Sequence, residues 1–272
     1  MGPYGGAVNY EVMAADSLAR IAVATPLVHH ITNVVVANDV ANLTLAFGAS
    51  PVMAAAPEEV AEMAGLASAL VLNIGTLSSA TIDAMLLAGR AAAERGSPIV
   101  LDPVGAGATR FRTVSALRLL AELPVTVLRG NRGEIGALVG GGKMRGVDAV
   151  GDEDPRTVAE AAAAQFGVVV AVTGAVDVVV GKDIAPLEVR NGHPLLGRIT
   201  GSGCMATAAI GIFLTAGEDA ATQAALALAA YCRAAERAGA GGAGPGTFRA
   251  RLLDEVAALR QKGVGGLRVA PA

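Results

Sequence analysis

Residues 69–74, Ala-Leu-Val-Leu-Asn-Ile, decide the fold class, because their hydrophobic residues do not alternate with polar ones. Val168–Thr173 has the same character. A strand with one face in water alternates apolar and polar residues, whereas a strand buried on both faces does not. These runs therefore predict buried strands of a parallel sheet that helices cover on each side.

Short runs of this kind alternate with longer alanine-rich segments along most of the chain. The candidate strands are Leu27–Ile31, Pro51–Ala54, Ala69–Ile74, Pro98–Asp102, Val125–Arg129, Val168–Thr173, Val176–Val180 and Ile184–Arg190. The candidate helices between the earlier strands are Val34–Phe47, Pro57–Ala64, Ser79–Arg95, Arg112–Glu122, Gly133–Val139 and Pro155–Phe166. Alternation of strands and helices through short connections predicts α/β layering.

The last third of the chain departs from this alternation. Val176–Val180 and Ile184–Arg190, joined by Gly181-Lys182-Asp183, form a predicted hairpin. The candidate helices after it are Cys204–Thr215, Asp219–Ala238 and Thr247–Leu259. We therefore predict a mostly parallel sheet with an antiparallel edge and a helical C-terminal section. No stretch is long and polar enough for a domain linker, which predicts one domain over residues 1–272.

Composition excludes several classes of protein. Hydrophobic residues make up 53% of the 272 residues and charged residues 17%, whereas disordered chains combine low hydrophobicity with high net charge. The net charge is −3 and lysine and arginine form no run, so we expect no nucleic-acid partner. The apolar stretches are interrupted before the roughly 20 residues that a membrane helix needs. The two cysteines, Cys204 and Cys232, do not suggest a disulfide framework, which favours the reducing cytoplasm.

Thr200-Gly201-Ser202-Gly203-Cys204 is the strongest local signal, since an apolar helical run follows it directly. Glycines before a helix allow backbone N–H groups to approach an anion, and the helix dipole adds positive potential. The same pattern also fits an ordinary turn before a buried helix. Cys204 lies where a helix N-terminus would stabilise a thiolate, although a lone cysteine is more often a small core residue.

Two acidic residues follow candidate strands. Asp102 ends the strand Pro98–Asp102, at the edge where open α/β sheets bind ligands, although a turn or cap residue is an alternative. Glu134 comes three residues after Asn131, a spacing that also fits a helix capping box. In the functional interpretation, Glu134 holds a Mg²⁺ shell through water, because Mg²⁺ keeps several of its waters.

Nucleotide binding by either common glycine motif is excluded by spacing. Gly105 and Gly107 begin a dinucleotide fingerprint, but Arg110 takes the place of its third glycine, and no P-loop sequence occurs. Val172-Thr173-Gly174 closes a strand with a hydroxyl and a flexible residue, which suits contact with a nucleotide. A tight turn is the alternative there.

Seven segments together resemble the hydroxyethylthiazole kinase family, the thiamine-salvage members of the ribokinase-like fold. They are His30-Ile31-Thr32-Asn33, Gly48-Ala49-Ser50-Pro51-Val52-Met53-Ala54, Leu72-Asn73-Ile74-Gly75-Thr76-Leu77, Leu101-Asp102-Pro103-Val104-Gly105-Ala106-Gly107-Ala108, Arg129-Gly130-Asn131, Val172-Thr173-Gly174 and Thr200-Gly201-Ser202-Gly203-Cys204. They keep the family's order from about residue 15 to residue 260. The segment from Gly140 to Asp154 has no motif that aligns.

The resemblance implies a three-layer ribokinase-like fold and phosphorylation of the alcohol of 4-methyl-5-(2-hydroxyethyl)thiazole by ATP with Mg²⁺. It also implies a homotrimer whose thiazole sites lie between neighbouring subunits. Carried over by position, the implied thiazole contacts are Met53 and Gly201, with Asn33 lining the same pocket. The implied ATP contacts are Arg129 and Thr173. The residues implied to organise the Mg²⁺ region are Asp102 and Glu134. The turn with Gly201, Gly203 and Cys204 is the implied anion hole and catalytic segment.

Cys204 stands where most ribokinase-like sugar kinases have an aspartate base. Phosphoryl transfer passes through a loose transition state, so positioning and charge neutralisation matter more than early deprotonation of the alcohol. We therefore expect Cys204 to be a weak base or an orienting group, in a slow enzyme. The alternatives are a kinase for the hydroxymethylpyrimidine alcohol, an ATP-dependent lyase on the same fold, and a nucleotide-binding regulator without catalysis.

Overall fold

The computed structural model describes residues 8–140, 154–182, 184–217 and 219–272. Their strands are β1 (Leu27–Ile31), β2 (Ser50–Val52), β3 (Ala69–Asn73), β4 (Ile99–Asp102), β5 (Val127–Asn131), β6 (Val169–Thr173), β7 (Asp177–Val180), β8 (Leu187–Val189) and β9 (Val269–Pro271). They form one sheet in the order β2-β1-β3-β4-β5-β6-β7-β8-β9. Pairing is parallel from β2 to β6 and antiparallel from β6 to β9. The predicted mostly parallel sheet with an antiparallel edge is confirmed.

Helices cover both faces of the sheet, in three layers. The helices are α1 (Tyr10–Ala24), α2 (Ala37–Phe47), α3 (Val60–Leu66), α4 (Ser79–Arg95), α5 (Arg110–Glu122), α6 (Arg132–Val139), α7 (Pro155–Phe166), α8 (Ser202–Phe213), α9 (Ala220–Gly239) and α10 (Pro245–Lys262). One apolar core lies under α1, α2 and α8–α10, and the other under α3–α7. In β3, Val71 enters the first core while Leu70 and Leu72 enter the second, which explains why the strand does not alternate.

Helix α1, strand β9 and the short 3-10 helix Pro194–Arg198 have no counterpart in the sequence-based assignment. Helix α1 begins after Asn9, whose side chain accepts a hydrogen bond from the Val12 N–H. Strand β9 has three residues and depends on pairing with β8, where Leu187 lies opposite Pro271. Three residues are too few to show a strand pattern in the sequence. The strand forms because β8, which is distant in the sequence, supplies its hydrogen bonds.

Several predicted boundaries shift by a few residues. Helix α2 begins at Ala37 and not at Val34, since residues 34–36 form a turn with Val34 and Val35 exposed. Strand β8 is confined to Leu187–Val189, and Asp183 of the predicted hairpin turn lies outside the described residues. Most of the segment from Gly140 to Asp154 lies outside them as well. Among the helices in the described ranges, none is long and apolar enough to cross a membrane.

Helix α8 can pack close to the sheet because it carries a glycine at the contact. A Cβ atom built on Gly211 would lie 2.5 Å from Cγ2 of Val71 in β3, well inside van der Waals contact. The small residue at position 211 thus lets the C-terminal half of α8 lie against the middle of β3.

We expect Gly211→Ala to lower the free energy of unfolding by about 1–3 kcal/mol, because overpacking forces the helix and the sheet apart. The matched control is Gly65→Ala, in helix α3, where no atom lies within 4 Å of the added Cβ. That variant should be neutral or gain up to about 1 kcal/mol from helix propensity. Denaturant unfolding measures both, and equal effects of the two variants would contradict close packing at α8.

Candidate active site

The carboxyl ends of the parallel strands bring polar residues together at one edge of the sheet. Asn73 at the end of β3 lies in register with Asp102 at the end of β4. Arg129 and Thr173 lie on β5 and β6, and the arginine guanidinium donates a hydrogen bond to the threonine hydroxyl. Helix α8 lies beside them, since its Thr207 hydroxyl donates to Asp102. The structure therefore joins residues that are far apart in the sequence.

Asp102 is buried, and its two carboxylate oxygens have different surroundings. Oδ2 accepts hydrogen bonds from Asn73 Nδ2 at 2.9 Å and from Thr207 Oγ1 at 2.7 Å, and Arg129 Nη1 lies 3.6 Å from it. Oδ1 has no hydrogen-bond partner. Burial raises the pKa of Asp102 to about 6, while Arg129 and the two donors act in the opposite direction.

A chain of amide hydrogen bonds runs from Asp102 toward Cys204. Asn73 Oδ1 accepts from Asn33 Nδ2 and from the Gly75 N–H, each at 2.9 Å. Asn33 Nδ2 also lies 3.5 Å from the Cys204 sulfur. The predicted substrate-side residue Asn33 and the predicted catalytic residue Cys204 are therefore in contact, and Asn73 connects both to Asp102.

The surroundings of Cys204 oppose the thiolate that the start of α8 would favour, and its role as a weak base or an orienting group stays a prediction. Burial raises the pKa of the Cys204 thiol, and the nearby Asp102 carboxylate raises it further. Hydrogen bonds from Asn73 and Asn33 and the charge of Arg129 lower it only in part. The thiol is therefore protonated at neutral pH.

Two glycines at the start of α8, Gly201 and Gly203, lie where the neighbouring residues leave no room for a side chain. Gly201 is the N-cap residue and has φ +80°, and a Cβ there would lie 2.4 Å from Cγ1 of Val36. At Gly203 a Cβ would lie 2.7 Å from Arg129 Nη1. The glycine at 203 thus lets the guanidinium reach the start of the helix, where the first N–H groups have no acceptor within the helix. A positive side chain and unpaired N–H groups together favour an anion.

A cavity of about 700 Å³ opens beside this turn. Its lining includes Arg129, Thr173, Asp177, Asn191 and Gly203, together with the start of the short 3-10 helix Pro194–Arg198. Cavities that bind small ligands have volumes of about 300–1,000 Å³. Both residues predicted to contact ATP therefore lie in the wall of a cavity of suitable size.

Glu134 forms the capping box that the sequence left open as an alternative. Its Oε2 accepts from the Asn131 N–H, and Asn131 Oδ1 accepts from the Glu134 N–H, both at 2.9 Å. Glu134 Oε1 accepts from the Gly105 N–H at 2.8 Å, which ties α6 to the loop after β4. The charge of Glu134 also raises the pKa of Asp102, so the two carboxylates interact.

Met53 lies apart from this cluster, directly after the edge strand β2. Its side chain is 38% exposed. His29 fixes the segment, since its Nε2 lies 2.6 Å from the carbonyl oxygen of Ala54. An apolar side chain held at an edge strand and open to solvent is available to a ligand or to another subunit.

Sequence reasoning missed Asn73, Thr207 and Asp177. Two of them carried a signal, since Asn73 is the polar residue that ends an apolar strand and Thr207 is the polar residue within the apolar run 205–213.

Asp177 begins β7, and its Oδ1 accepts from the Gly174 N–H at 2.9 Å. Burial raises the pKa of Asp177 to about 6. This carboxyl holds the turn that follows Thr173.

We expect Asp177→Asn to change how stability depends on pH. Because the pKa of Asp177 is raised to about 6 in the folded protein, its contribution to stability is lost as the pH rises through that value. Asparagine keeps an oxygen for Gly174 without the buried charge. The variant should therefore be more stable than the wild type at pH 7.5, by up to about 3 kcal/mol, and lose this advantage near pH 4. Denaturant unfolding at both pH values tests this, and a difference that does not vary with pH would contradict it.

Comparison with known proteins agrees over nearly the whole chain. The model of the hydroxyethylthiazole kinase family matches residues 18–262. A hydroxyethylthiazole kinase from Rubrobacter xylanophilus is 56% identical over 248 residues, which cover 90% of this chain and 92% of that protein. The enzyme of the same name from Desulforudis audaxviator is 55% identical and covers 94% of each chain.

Solved structures agree in fold. The hydroxyethylthiazole kinase protein from Pyrococcus horikoshii superposes with a TM-score of 0.87 at 44% identity, covering 95% of this chain and 98% of that one. A ribokinase-like superfamily protein from Enterococcus faecalis, 12% identical, has a TM-score of 0.58 over 85% of this chain and 86% of its own, and that likeness concerns the fold alone. With its family match, its relatives and its ribokinase-like fold in agreement, the chain belongs to the hydroxyethylthiazole kinase family.

Proposed function

We propose that this protein transfers the terminal phosphoryl group of ATP to the hydroxyl of 4-methyl-5-(2-hydroxyethyl)thiazole, a step of thiamine salvage. One observation carries the proposal: the buried Asp102 carboxylate has an unpaired oxygen, and its other oxygen is bonded to Thr207 of α8, the helix whose first turn lines the cavity. Phosphoryl transfer needs such a combination of anion-binding groups and a carboxylate near the transferred group. The relatives' names give the substrate.

ATP would occupy the cavity with its phosphates toward the start of α8. Arg129 and Thr173 are hydrogen-bonded to each other in the cavity wall, which fixes the guanidinium in one orientation. The unpaired N–H groups after Gly201 and the positive end of the helix dipole would bind the transferred phosphoryl. Charge stabilisation of this kind is the main contribution that a protein makes to phosphoryl transfer.

Asp102 and Glu134 fit a Mg²⁺ ion. Mg²⁺ in kinases is held by one or two carboxylates, phosphate oxygens and water, and the unpaired Oδ1 of Asp102 is a buried oxygen of this kind. Within the described residues no three side chains of His, Cys, Asp or Glu form a metal-binding group, so water and phosphate would complete the shell. The ion would neutralise negative charge on the phosphate oxygens. Glu134 would take part through water, since both of its oxygens accept backbone N–H groups.

The alcohol would lie near Cys204, Asn33 and Gly201. Because burial raises its pKa, the Cys204 thiol keeps its proton and orients the hydroxyl of the substrate. A loose transition state requires little deprotonation of the alcohol before its oxygen attacks phosphorus. A slow enzyme is consistent with this arrangement.

The site would be completed in a homotrimer. Met53 lies at the edge strand and is partly exposed, and Val34 and Val35, directly after Asn33, are 81% and 61% exposed. Apolar side chains exposed beside a polar site favour coverage by a neighbouring subunit. The single sheet supports one kinase domain over residues 1–272, and the free cysteines support a cytoplasmic location.

The first test couples ADP release to addition of the thiazole alcohol, with Mg²⁺ present and the hydroxymethylpyrimidine alcohol as the control substrate. We expect thiazole-dependent ADP release and a phosphorylated thiazole product, since the anion site and the family both favour this acceptor. Faster turnover of the pyrimidine alcohol would contradict the substrate assignment. Release of inorganic phosphate without a phosphoalcohol would indicate a lyase, and nucleotide binding without ADP release a regulator.

A second test replaces Cys204. If the thiol only orients the hydroxyl or accepts its proton weakly, Cys204→Asp should retain turnover, because a carboxylate accepts a hydrogen bond and a proton at least as well. Steady-state rates of the variant and of Cys204→Ala separate the two contributions. A collapse of Cys204→Asp to the rate of Cys204→Ala would mean that the thiol has a role that a carboxylate does not fill.

A further inference from the structure

The donors around Asp102 all converge on the same oxygen. Asn73 Nδ2, Thr207 Oγ1 and, at longer range, Arg129 Nη1 lie around Oδ2, and Oδ1 has no partner although the side chain is buried. An unpaired oxygen in a buried carboxylate is costly unless a ligand uses it. Convergence on Oδ2 fixes the rotation of the carboxylate and reserves Oδ1.

The amide of Asn73 is itself fixed in one orientation. Its Oδ1 accepts from two N–H groups, of Asn33 and Gly75, and its Nδ2 donates to the Asp102 carboxylate. The reversed amide would oppose N–H to N–H at one end and oxygen to oxygen at the other. Gly75 is needed for this contact, because a Cβ there would lie 2.7 Å from Asn33 Nδ2.

Thr207 holds Asp102 from the helix. Its hydroxyl donates to Asp102 Oδ2 and lies 3.2 Å from the carbonyl oxygen of Gly203, one turn earlier. Thr207 is fully buried, so no water replaces the hydroxyl. The contact ties the carboxylate to the helix whose first turn would bind the phosphate.

We propose that Asn73 and Thr207 are positioning residues for phosphoryl transfer, which hold Asp102 with Oδ1 free for Mg²⁺ bound with the nucleotide. Asn73 has a second role, since it also holds Asn33 beside the alcohol. Thr207 contacts Asp102 and has no role toward the alcohol. This inference rests on the function proposed above and names two further residues of the same site.

The experiment compares Thr207→Val, which removes the hydroxyl, with Thr207→Ser, which keeps it. The affinity of a non-hydrolysable ATP analogue is measured with and without Mg²⁺ by calorimetry, so that no turnover is needed. We expect Thr207→Val to reduce the gain in affinity that Mg²⁺ brings by about 10- to 100-fold, the usual cost of losing a residue that supports a metal ligand. Thr207→Ser should stay within a few-fold of the wild type.

Thr44→Val is the matched control. Thr44 is also a fully buried helical threonine that donates to the carbonyl four residues earlier, and its second partner is His30, outside the site. A structural role alone would predict the same loss of stability for both valine variants and no specific effect on Mg²⁺. The control should leave the gain from Mg²⁺ unchanged.

Asn73→Ala separates the two sides of the site. Like Thr207→Val, it should reduce the gain in nucleotide affinity that Mg²⁺ brings. It should also weaken binding of the thiazole alcohol about tenfold or more. Thr207→Val should leave binding of the alcohol unchanged. If Thr207→Val does not fold, Thr207→Ala, which is smaller, takes its place.

The proposal is overturned if Mg²⁺ raises the affinity for the ATP analogue as much in folded Thr207→Val and Asn73→Ala as in the wild type. The proposed function would still stand in that case, provided that the wild type releases ADP when the alcohol is added. An equal loss in Thr44→Val would overturn it too. A wild type without thiazole-dependent ADP release would instead overturn the proposed function, and this inference with it.

Discussion

Burial of the Asp102 carboxylate at the carboxyl edge of the sheet is the constraint from which the site is built. A buried carboxylate without compensating donors is strongly unfavourable, and here the donors come from β3, β5 and α8. Burial raises the pKa of Asp102 to about 6 in spite of these donors, and its Oδ1 has no hydrogen-bond partner. A cation that pairs with Oδ1 would stabilise the charged form of this carboxylate.

The fold makes this compensation possible through close approach. Parallel strands end at the same edge, so Asn73 and Asp102 meet in register. Gly211 lets helix α8 lie against β3, and Gly203 lets Arg129 pass the start of that helix. An alanine at position 211 would clash with Val71, and one at position 203 with the Arg129 guanidinium. The high content of glycine and alanine is therefore linked to the chemistry of the site as well as to packing.

Much of the architecture could be predicted, because a strand buried on both faces leaves a pattern in its own residues, as in Ala69–Asn73. The position of Asp102 at the binding edge of the sheet was likewise predictable, since parallel strands end at the same edge. The roles of Arg129 and Thr173 as ATP contacts came from the family resemblance and stay predictions. Strand β9 was not predictable, because its partner is remote. The environment of Cys204 could be predicted only in part: its position at a helix N-terminus is local information, whereas burial and the neighbouring Asp102, which raise the pKa of the thiol, come from the packed structure.

A crystal structure with a non-hydrolysable ATP analogue, Mg²⁺ and the thiazole alcohol would examine the arrangement as a whole. We expect the terminal phosphate within hydrogen-bond distance of the N–H groups of Gly203 and Cys204, and Asp102 Oδ1 turned toward Mg²⁺ or one of its waters. A terminal phosphate bound away from the start of α8, with Oδ1 still without a partner, would contradict the mechanism.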